Sequence, residues 1–511
     1  MAGAVLPLTD GDSAFYATVA RDALRAGEWV VFSVRGGGVF DKPPLTTWLL
    51  ELSLALFGSA DWAVRFWHVC LALATVLVTY HLARLVLSVD QSLFAALILL
   101  TSGQFFYQSL VPQQDVPVTL FVTLSMYLYL RWLRDAQWEM AVLTGVSTAL
   151  AVLSKGLFGA ILPVLVVAAH AGVDRRKWPR KWARDVTLAF VAFLIVGAPW
   201  FVIAGLRQGQ AFVETFVLGG SLGVGRFFHP ALSVPGATPG WLGLLAYAVF
   251  LPVGAIPWTG WLWPGFRQGW RIRSTRPWVL RVCAIWVVTI LAFLTISPGD
   301  KVIRYLLPVF PPAAVLIAYA TSTDRALWTA GRISLAIGGV IFAAVMYVSR
   351  IPLAPEVVSY RPIVMAFLIP LAAGLVGAGA LALRARRLEA QVFLVAMALV
   401  AYGLLVGATA KQWDQISPWR LVGRTVNAIG GSDAGVLVLG ERSPFAEFYI
   451  DRPVQIVDRA ALAQAWRGTR VIAVLSVDEL ASLEGGPPPT ILGAAPGRLL
   501  IVRNFEEKPS Q

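Results

Sequence analysis

Long apolar stretches, separated by short polar segments, run along most of the 511-residue chain. Twelve of them have the roughly 15 to 25 residues that a helix needs to cross a bilayer. They cover residues 62–84, 91–108, 116–132, 139–153, 156–172, 186–206, 241–264, 281–297, 303–322, 333–349, 362–383 and 390–409. The pattern predicts an α-helical polytopic membrane protein with about twelve transmembrane helices.

The composition supports a membrane protein and excludes an ordinary soluble enzyme. The chain is 57% hydrophobic and only 14% charged, so its apolar side chains cannot all be buried in soluble cores of ordinary size. Cys70 and Cys283 both lie in apolar stretches, so neither a disulfide framework nor a thiolate metal cluster is expected. The net charge of +13 does not indicate a nucleic-acid partner, because the basic residues fall in short clusters between apolar stretches.

The loops between the apolar stretches alternate in their content of Lys and Arg. Every second loop is rich in these residues, and positive residues collect on the cytoplasmic side of a membrane. The alternation therefore places residues 1–61, the long loop 207–240 and the tail from about 410 outside the cytoplasm. Residues 1–61 contain no apolar core that could lead them across the membrane. We therefore expect a further helix upstream, which would make thirteen spans.

A soluble pattern begins near residue 410. Ser417-Pro418 predicts the start of a helix that ends near Gly430. Short apolar runs follow at 436–439, 454–457, 471–475 and 499–502, with a helical stretch near 460–466. Strands that alternate with helices predict a small α/β domain over 410–511, outside the cytoplasm, after a transmembrane domain over 1–409. The small domain has no glycine-rich phosphate loop, so nothing in it indicates nucleotide binding.

Two aspartates, Asp10 and Asp12, stand at the start of an amphipathic helical stretch in the first outer segment. Apolar residues on one face, with Arg21 and Arg25 on the other, predict a helix that lies along the membrane surface. Asp12 is either the N-cap of this helix or a carboxylate that takes a proton from an acceptor hydroxyl. Both functions can occur together, with Asp10 as the cap and Asp12 as the reacting group.

A rigid corner follows at residues 40–44, Phe-Asp-Lys-Pro-Pro, because prolines fix φ and lack a backbone donor. Lys42 is either a snorkelling lysine in a local salt bridge or a cation that binds a ligand. Ligand binding is favoured by further cations in outer loops, where the topology rule depletes positive charge. These cations are Lys155, Arg226, Lys301 and Arg304. Phosphate is their natural ligand at a membrane surface.

Two further outer residues have open interpretations. Asp115 begins an apolar stretch from the same side, and it is either a helix cap or an acid of the site. His229 is the only histidine in an outer loop, and a lone histidine is a weak indication of a metal site.

Five short motifs occur in a fixed order along the chain. They are Asp12-x-x-x-Tyr16, Phe40-Asp41-Lys42-Pro43-Pro44, Ser154-Lys155-Gly156, Gly225-Arg226-Phe227 and Lys301-x-x-Arg304-Tyr305-x-x-Pro308. With these motifs the chain resembles the integral-membrane glycosyltransferases of the GT-C fold, which use polyprenyl-phosphate sugars. The bacterial lipid A aminoarabinose transferases look most similar, and the protein O-mannosyltransferases look more distant. The resemblance implies thirteen spans, a bacterial cytoplasmic membrane and an active site on its outer side.

The resemblance also implies roles for particular residues. Asp12 matches the catalytic base, and Lys42, Arg226 and Tyr305 match residues that contact the lipid phosphate. Lys155, Lys301 and Arg304 are further candidates for binding this phosphate. Asp41 and Asp115 are possible acids or metal ligands. Some relatives hold a metal between the acid matching Asp41 and a histidine, but this chain has Ser-Leu-Gly-Val at 221–224 in that region, and Ser13 stands where the family often has Glu.

The implied reaction is inverting transfer of a sugar from a polyprenyl phosphate to a lipid, glycan or protein acceptor. The phosphate is already an activated leaving group, so the enzyme must stabilise its developing charge and accept one proton. Neither a nucleotide nor another cofactor is required by this chemistry. The alternative is a lipid-linked-sugar flippase, which also needs many spans and buried cations. A flippase would not need an acid in an outer loop or a sizeable outer domain. A polymerase or ligase of lipid-linked glycans would differ only in its acceptor.

Overall fold

Helices make up most of the structure, a computed structural model of the chain. It describes residues 6–34, 38–39, 42–173, 178–218, 240–271, 278–297, 301–352, 355–429, 434–440, 443–483, 485–496 and 499–505. The first helices are α1 (Gly11–Ala26), α2 (Leu45–Phe57), α3 (Asp61–Arg84), α4 (Val89–Thr101), α5 (Gly103–Ser109), α6 (Asp115–Asp135), α7 (Trp138–Lys155), α8 (Phe158–Val173) and α9 (Trp182–Gln208). The next are α10 (Gly240–Gly254), α11 (Thr259–Arg271), α12 (Trp278–Ile296), α13 (Phe310–Ala320), α14 (Asp324–Arg350), α15 (Arg361–Leu383) and α16 (Arg387–Ile416).

Shorter elements complete the membrane part and the C-terminal part. A 3-10 helix at Ile303–Val309 leads into α13, and short helical segments lie at Gln210–Phe212, Val213–Leu218 and Pro355–Val358. The C-terminal part contains α17 (Trp419–Ala428), β3 (Gly435–Leu439), α18 (Pro444–Tyr449), β4 (Val454–Val457), α19 (Arg459–Gly468), β5 (Val471–Ser476), a 3-10 helix (Val477–Leu483), β6 (Thr490–Ala495) and β7 (Leu499–Arg503). Near the N-terminus, β1 (Ser33–Val34) pairs with β2 (Gly38–Val39).

The polytopic helical class is confirmed, although the count of twelve spans is not. In the described part of the chain, eight helical segments are long and apolar enough to cross a membrane, and two bent pairs raise the number to ten. The predicted spans at 139–153 and 156–172 correspond to α7 and to α8, a shorter apolar helix.

Two predicted spans are bent rather than straight. The axes of α4 and α5 differ by 66°, and those of α10 and α11 by 112°. At the first bend the hydroxyl groups of Thr101 and Ser102 donate to carbonyls one turn earlier, an arrangement that bends helices. The N–H of Gly103 then donates to the carbonyl of Ile256 at 2.8 Å. This hydrogen bond joins the two bends and satisfies a backbone group that the broken helix leaves unpaired.

The C-terminal part is the α/β domain that the sequence predicts. Its sheet has the strand order β4-β3-β5-β7-β6, with β3 parallel to β4 and β5, and with β7 antiparallel to β5 and β6. The sequence reading missed β6 and α18. The predicted N-cap is also wrong, because Pro418 occupies that position in α17 and provides no side-chain cap. The last long helix continues to Ile416, so the domain begins after it.

The C-terminal domain covers α1. The side chain of Arg21 is only 2% exposed, and it donates to the carbonyls of Glu447 at 2.7 Å and Phe448 at 2.5 Å. The prediction that Arg21 lies on the polar face of a surface helix is therefore wrong, because α18 packs on that face. Arg25 is exposed, and it pairs with Asp451 at 3.5 Å.

Candidate active site

Helix α1 presents Asp12 in its first turn. Asp10 is the N-cap, and its Oδ1 atom accepts the N–H of Ser13 at 2.8 Å. The helix ends at Gly27, whose φ of 67° is left-handed and favours glycine. Asp10 therefore satisfies the helix terminus, and the interpretation of Asp12 as the cap is wrong. The Asp12 side chain is 52% exposed, whereas burial raises the pKa of Asp10 against the opposing effect of its hydrogen bonds to Ser13.

An outer polar cluster surrounds Asp12. We define it as Asp12, Gln113, Asp115, Lys155 and Arg304, which come from α1, the start of α6, the end of α7 and the 3-10 helix before α13. The guanidinium of Arg304 lies between two carboxylates, with Nη1 3.7 Å from Asp12 Oδ2 and Nε 3.7 Å from Asp115 Oδ2. Lys155 forms an ion pair with the other oxygen of Asp115. Four segments far apart in sequence thus converge on one site.

The two carboxylates of the outer polar cluster differ in exposure. The Asp115 side chain is only 3% exposed, and its two cationic partners compensate for the burial of its charge. The ammonium of Lys155 also lies 4.3 Å from the ring centroid of Tyr305 and 5.1 Å from that of Phe158. Both distances are within the range of cation–π attraction. Asp115 is therefore fixed in place, and Asp12 is the carboxylate of the cluster that is accessible from outside the protein.

Gln113 is a member of the cluster that the sequence reading did not identify. Its Nε2 atom donates to Asp12 Oδ2 at 2.8 Å. An uncharged amide does not stand out in a charge pattern, and the only available signal was its place two residues before Asp115.

Lys301 does not join the outer polar cluster. Its ammonium donates to the carbonyls of Leu294 at 2.9 Å, of Thr295 at 3.1 Å and of Ser297, which lie in the last turn of α12 and directly after it. Partial burial lowers the pKa of Lys301. A cation at this place satisfies carbonyls that the helix leaves unpaired, so the carbonyls compete with phosphate for Lys301. Its role in binding phosphate stays a prediction.

The remaining predicted residues are only partly described. Lys42 lies half-buried in the turn before α2. Asp41, Arg226 and His229 lie outside the described residues. Within the described ranges, no three His, Cys, Asp or Glu side chains come together in a group that could hold a metal ion.

An apolar cavity opens among α10, α11, α12 and α13. Its volume is about 390 Å³, which is within the usual range for ligand pockets. Its walls include Tyr247, Leu251, Trp263, Phe266, Leu291 and Leu316. The ammonium of Lys301 lies 5.9 Å from the ring centroid of Tyr247. The cavity therefore combines an apolar interior with a cation at its edge.

Solved structures show which fold this is. The crystal structure of ArnT from Cupriavidus metallidurans bound to undecaprenyl phosphate aligns with 98% of this chain and 95% of its own, with a TM-score of 0.81 and 19% identity. The apo state of the same protein gives a TM-score of 0.79. The chain therefore has the fold of the GT-C membrane glycosyltransferases, as its motifs predicted.

Sequence comparisons give the same resemblance. Residues 41–203 match the family described as dolichyl-phosphate-mannose-protein mannosyltransferase. An undecaprenyl phosphate-alpha-4-amino-4-deoxy-L-arabinose arabinosyl transferase of Yersinia pestis is 28% identical over 362 residues, 69% of this chain and 63% of that protein. The same-named protein of Pseudomonas aeruginosa is 29% identical over 325 residues, 60% of this chain and 55% of its own length. The chain thus spans less than two thirds of these curated relatives, and its resemblance to lipid A aminoarabinose transferases is confirmed.

Proposed function

We propose that this protein is an inverting glycosyltransferase that moves a sugar from a polyprenyl-phosphate donor to an acceptor on the outer side of the membrane. The observation that carries the proposal is the half-exposed carboxylate of Asp12, which lies 3.7 Å from the guanidinium of Arg304. A base and a cation in one site meet the two needs of this transfer, which are to accept a proton and to stabilise a departing phosphate.

The transfer requires one bond to form and one to break. Asp12 accepts the proton of the acceptor group, whose heteroatom forms a bond to the anomeric carbon of the sugar. The bond between this carbon and the phosphate oxygen breaks, and its electron pair stays on the polyprenyl phosphate. Attack opposite the leaving phosphate inverts the anomeric configuration. In this proposal Arg304 and Lys155, both near Asp115, oppose the new negative charge, with Lys42, Tyr305, Lys301 and Arg226 as further candidates.

In this proposal the apolar cavity between α10 and α13 holds part of the hydrocarbon chain of the donor lipid. Polyprenyl chains are hydrocarbon, and the wall of the cavity is mostly aromatic and aliphatic. Lys301 near Tyr247 lies where a phosphate head would emerge. The relatives named above carry undecaprenyl phosphate in their names, which supports a polyprenyl phosphate as the donor. A lipid is the acceptor class we favour, with glycan and protein as alternatives.

We propose that the site and the C-terminal domain face away from the cytoplasm of a bacterial inner membrane. The loops rich in Lys and Arg then lie on the cytoplasmic side, as the positive-inside rule requires. On this assignment the transmembrane domain, with outer segments 1–61 and 207–240, ends with α16 at Ile416, a little later than the predicted boundary between 409 and 410, and the rest of the chain to residue 511 forms the outer domain. A flippase is less favoured, since transport without bond-making does not need a base such as Asp12.

The proposal is tested by supplying membrane vesicles, which contain the protein and candidate acceptors, with radiolabelled undecaprenyl-phosphate sugars and separating lipid, glycan and protein products. We expect covalent label on a lipid other than the polyprenyl carrier. Asp12→Asn keeps the shape of the side chain but removes its basicity, so turnover should fall by roughly 10² to 10⁴. Asp10→Asn is the matched control, since asparagine caps helices as well as aspartate.

Two results would contradict the proposal. Label that crosses the bilayer but stays on the polyprenyl carrier would identify a flippase. A fully active Asp12→Asn variant, or equal losses at Asp10 and Asp12, would remove Asp12 from the mechanism and make Asp41 or Asp115 the next candidate.

A further inference from the structure

Three buried glutamines form a hydrogen-bonded chain that ends on Asp12. The amide of Gln104 donates to the carbonyl of Gln108 at 3.4 Å, and the amide of Gln108 donates to the carbonyl of Gln113 at 3.1 Å. Gln113 then donates to Asp12 Oδ2 at 2.8 Å. The three side chains are 7%, 2% and 4% exposed, respectively. Buried amides are costly unless they are hydrogen-bonded, so this arrangement satisfies them while directing them at one carboxylate.

Asp12 fixes the donor-to-acceptor direction of all the hydrogen bonds in this series of glutamines. An ionised carboxylate can only accept hydrogen bonds, so Gln113 must turn its NH₂ group toward Asp12. The carbonyl of Gln113 then faces away and accepts from Gln108, whose own carbonyl accepts from Gln104. Each amide therefore has a single orientation that satisfies its neighbours.

The bend between α4 and α5 places the glutamines. Gln104 and Gln108 are four residues apart on α5, so they lie on the same helix face. A straight continuation of α4 would point this face in another direction, since the bend is 66°. Gln104 also packs closely against the backbone of Gly254, where a Cβ atom would lie 2.9 Å from its side chain. The first glutamine of the series, Gln104, is thus held by close packing between helices.

We propose that Gln113 is a positioning residue for Asp12, and that Gln108 and Gln104 hold the Gln113 amide in its donating orientation. This inference rests on the proposed function, in which Asp12 is the base. Gln113 and Arg304 both contact Oδ2 of Asp12. Among the described residues no hydrogen bond involves Oδ1, which is therefore the oxygen aimed at the acceptor. An oriented carboxylate presents its open oxygen in one direction, which is what proton acceptance in the transition state requires.

The test compares Gln113→Met with Gln114→Met in the full-length protein. Gln114 is equally buried, at 4%, and it is the adjacent residue, but its Nε2 atom has no hydrogen-bond partner among the described residues, so Gln114→Met is the control for loss of a buried amide that does not donate to Asp12. We expect Gln113→Met to lower kcat roughly tenfold to a hundredfold, the effect of one hydrogen bond to a charged group, with an unchanged KM for undecaprenyl-phosphate sugar. Gln114→Met should lower kcat much less. Protein yield and Tm are measured for both variants.

A second comparison separates positioning from structural support. Gln108→Met should lower kcat to a smaller extent, and it should have no further effect when Gln113 is already Met, since its influence passes through that amide. Should Gln113→Met reduce the yield, Gln113→Leu gives the same test, because it is also uncharged and lacks the amide donor. Gln113→His retains an N–H donor and should recover part of kcat.

The inference is overturned if Gln113→Met and Gln114→Met have equal kcat, if the donor KM changes in place of kcat, or if the effects at Gln108 and Gln113 multiply. These results are distinct from failure of the proposed function. A fully active Asp12→Asn variant refutes the role of Asp12 itself, whereas an inactive Asp12→Asn with a fully active Gln113→Met refutes only the positioning role.

Discussion

Two buried polar clusters lie at the two ends of α6, about 25 Å apart at 1.5 Å per residue. The outer polar cluster contains Asp115 at the first residue of α6. The opposite cluster contains Trp132 near the last turn, whose indole N–H donates to Asp185 Oδ2 at 3.0 Å. Tyr129, one turn earlier, forms a 2.9 Å hydrogen bond with His170.

The two clusters are similarly polar, but they differ in whether a carboxylate oxygen is accessible to solvent. Asp185 is a buried carboxylate whose two oxygens accept hydrogen bonds from Trp132 and from Arg184. Both oxygens are therefore occupied, and the residue joins α6 to α9. In the outer polar cluster the oxygens of Asp115 are similarly occupied, but Asp12 is half-exposed. A buried polar group within a helical bundle therefore indicates a site only where one of its acceptors is accessible.

Breaking the pairing of Asp115 should have the largest effect. Asp115→Asn leaves Lys155, which is 17% exposed, without a carboxylate, and breaking a buried ion pair costs about 3 to 5 kcal/mol. Arg304 also loses one of its two carboxylates, so we expect both a large fall in Tm and loss of glycosyl transfer.

The double variant Asp115→Asn with Lys155→Met is the control for Asp115. It removes the uncompensated cation and should recover much of the Tm without recovering turnover. Normal turnover in Asp115→Asn would show that the outer polar cluster is as purely structural as the opposite one.

The opposite cluster should affect stability alone. Trp132→Phe removes the indole N–H and leaves one oxygen of Asp185 without its donor, which costs about 1 to 3 kcal/mol. We expect a lower Tm and an unchanged kcat, measured on the same purified protein. A fall in kcat at constant Tm would contradict the division between the two clusters.

Glu51, on α2, belongs to neither cluster, and its replacement should have the smallest effect at acidic pH, where its side chain is uncharged in both the folded and the unfolded state. It is fully buried, and in the part of the chain that the structure describes neither of its oxygens has a hydrogen-bond partner. Burial raises the pKa of Glu51 to about 8, from 4.5. The folded state thus holds the proton more tightly than the unfolded state. The free energy of unfolding therefore decreases as the pH rises from the unfolded pKa of 4.5 to the folded pKa of about 8.

The variant Glu51→Gln removes that titration. We expect the fall in Tm between about pH 5 and pH 8 to become shallower, with the variant more stable than the wild type at the upper end. Parallel Tm curves for the two proteins would show that Glu51 does not titrate in this range.

Properties that depend on local composition could be predicted from the sequence. The apolar lengths predicted helices in every span, and the alternating apolar runs predicted four of the five strands of the C-terminal sheet. The position of the helix cap at Asp10 was also accessible, because helix capping follows from residue type and position.

Properties that depend on distant partners could not be predicted. Arg21 is buried by a helix that lies more than 400 residues later in the sequence. The amphipathic pattern of α1 carries no information about this partner. The bend after Thr101 depends on side-chain hydroxyls and on a carbonyl of another helix, so an apolar count does not detect it. Gln113 carries no charge, and Lys301 binds carbonyls that become available only where α12 ends.

The contact between α1 and α18 has a consequence for biosynthesis. Arg21 and its acceptor Glu447 lie 426 positions apart, and the ribosome makes α1 first. The face of α1 that carries Arg21 therefore has no partner while the membrane spans are inserted and the C-terminal domain is synthesised. Only when α18 has folded onto α1 does Arg21 find its carbonyls. Nascent chains that are stalled before this point would have all their membrane helices but would lack the contacts between α18 and α1, so the order of synthesis delays the final packing of the helix that carries Asp12 until the chain is nearly complete.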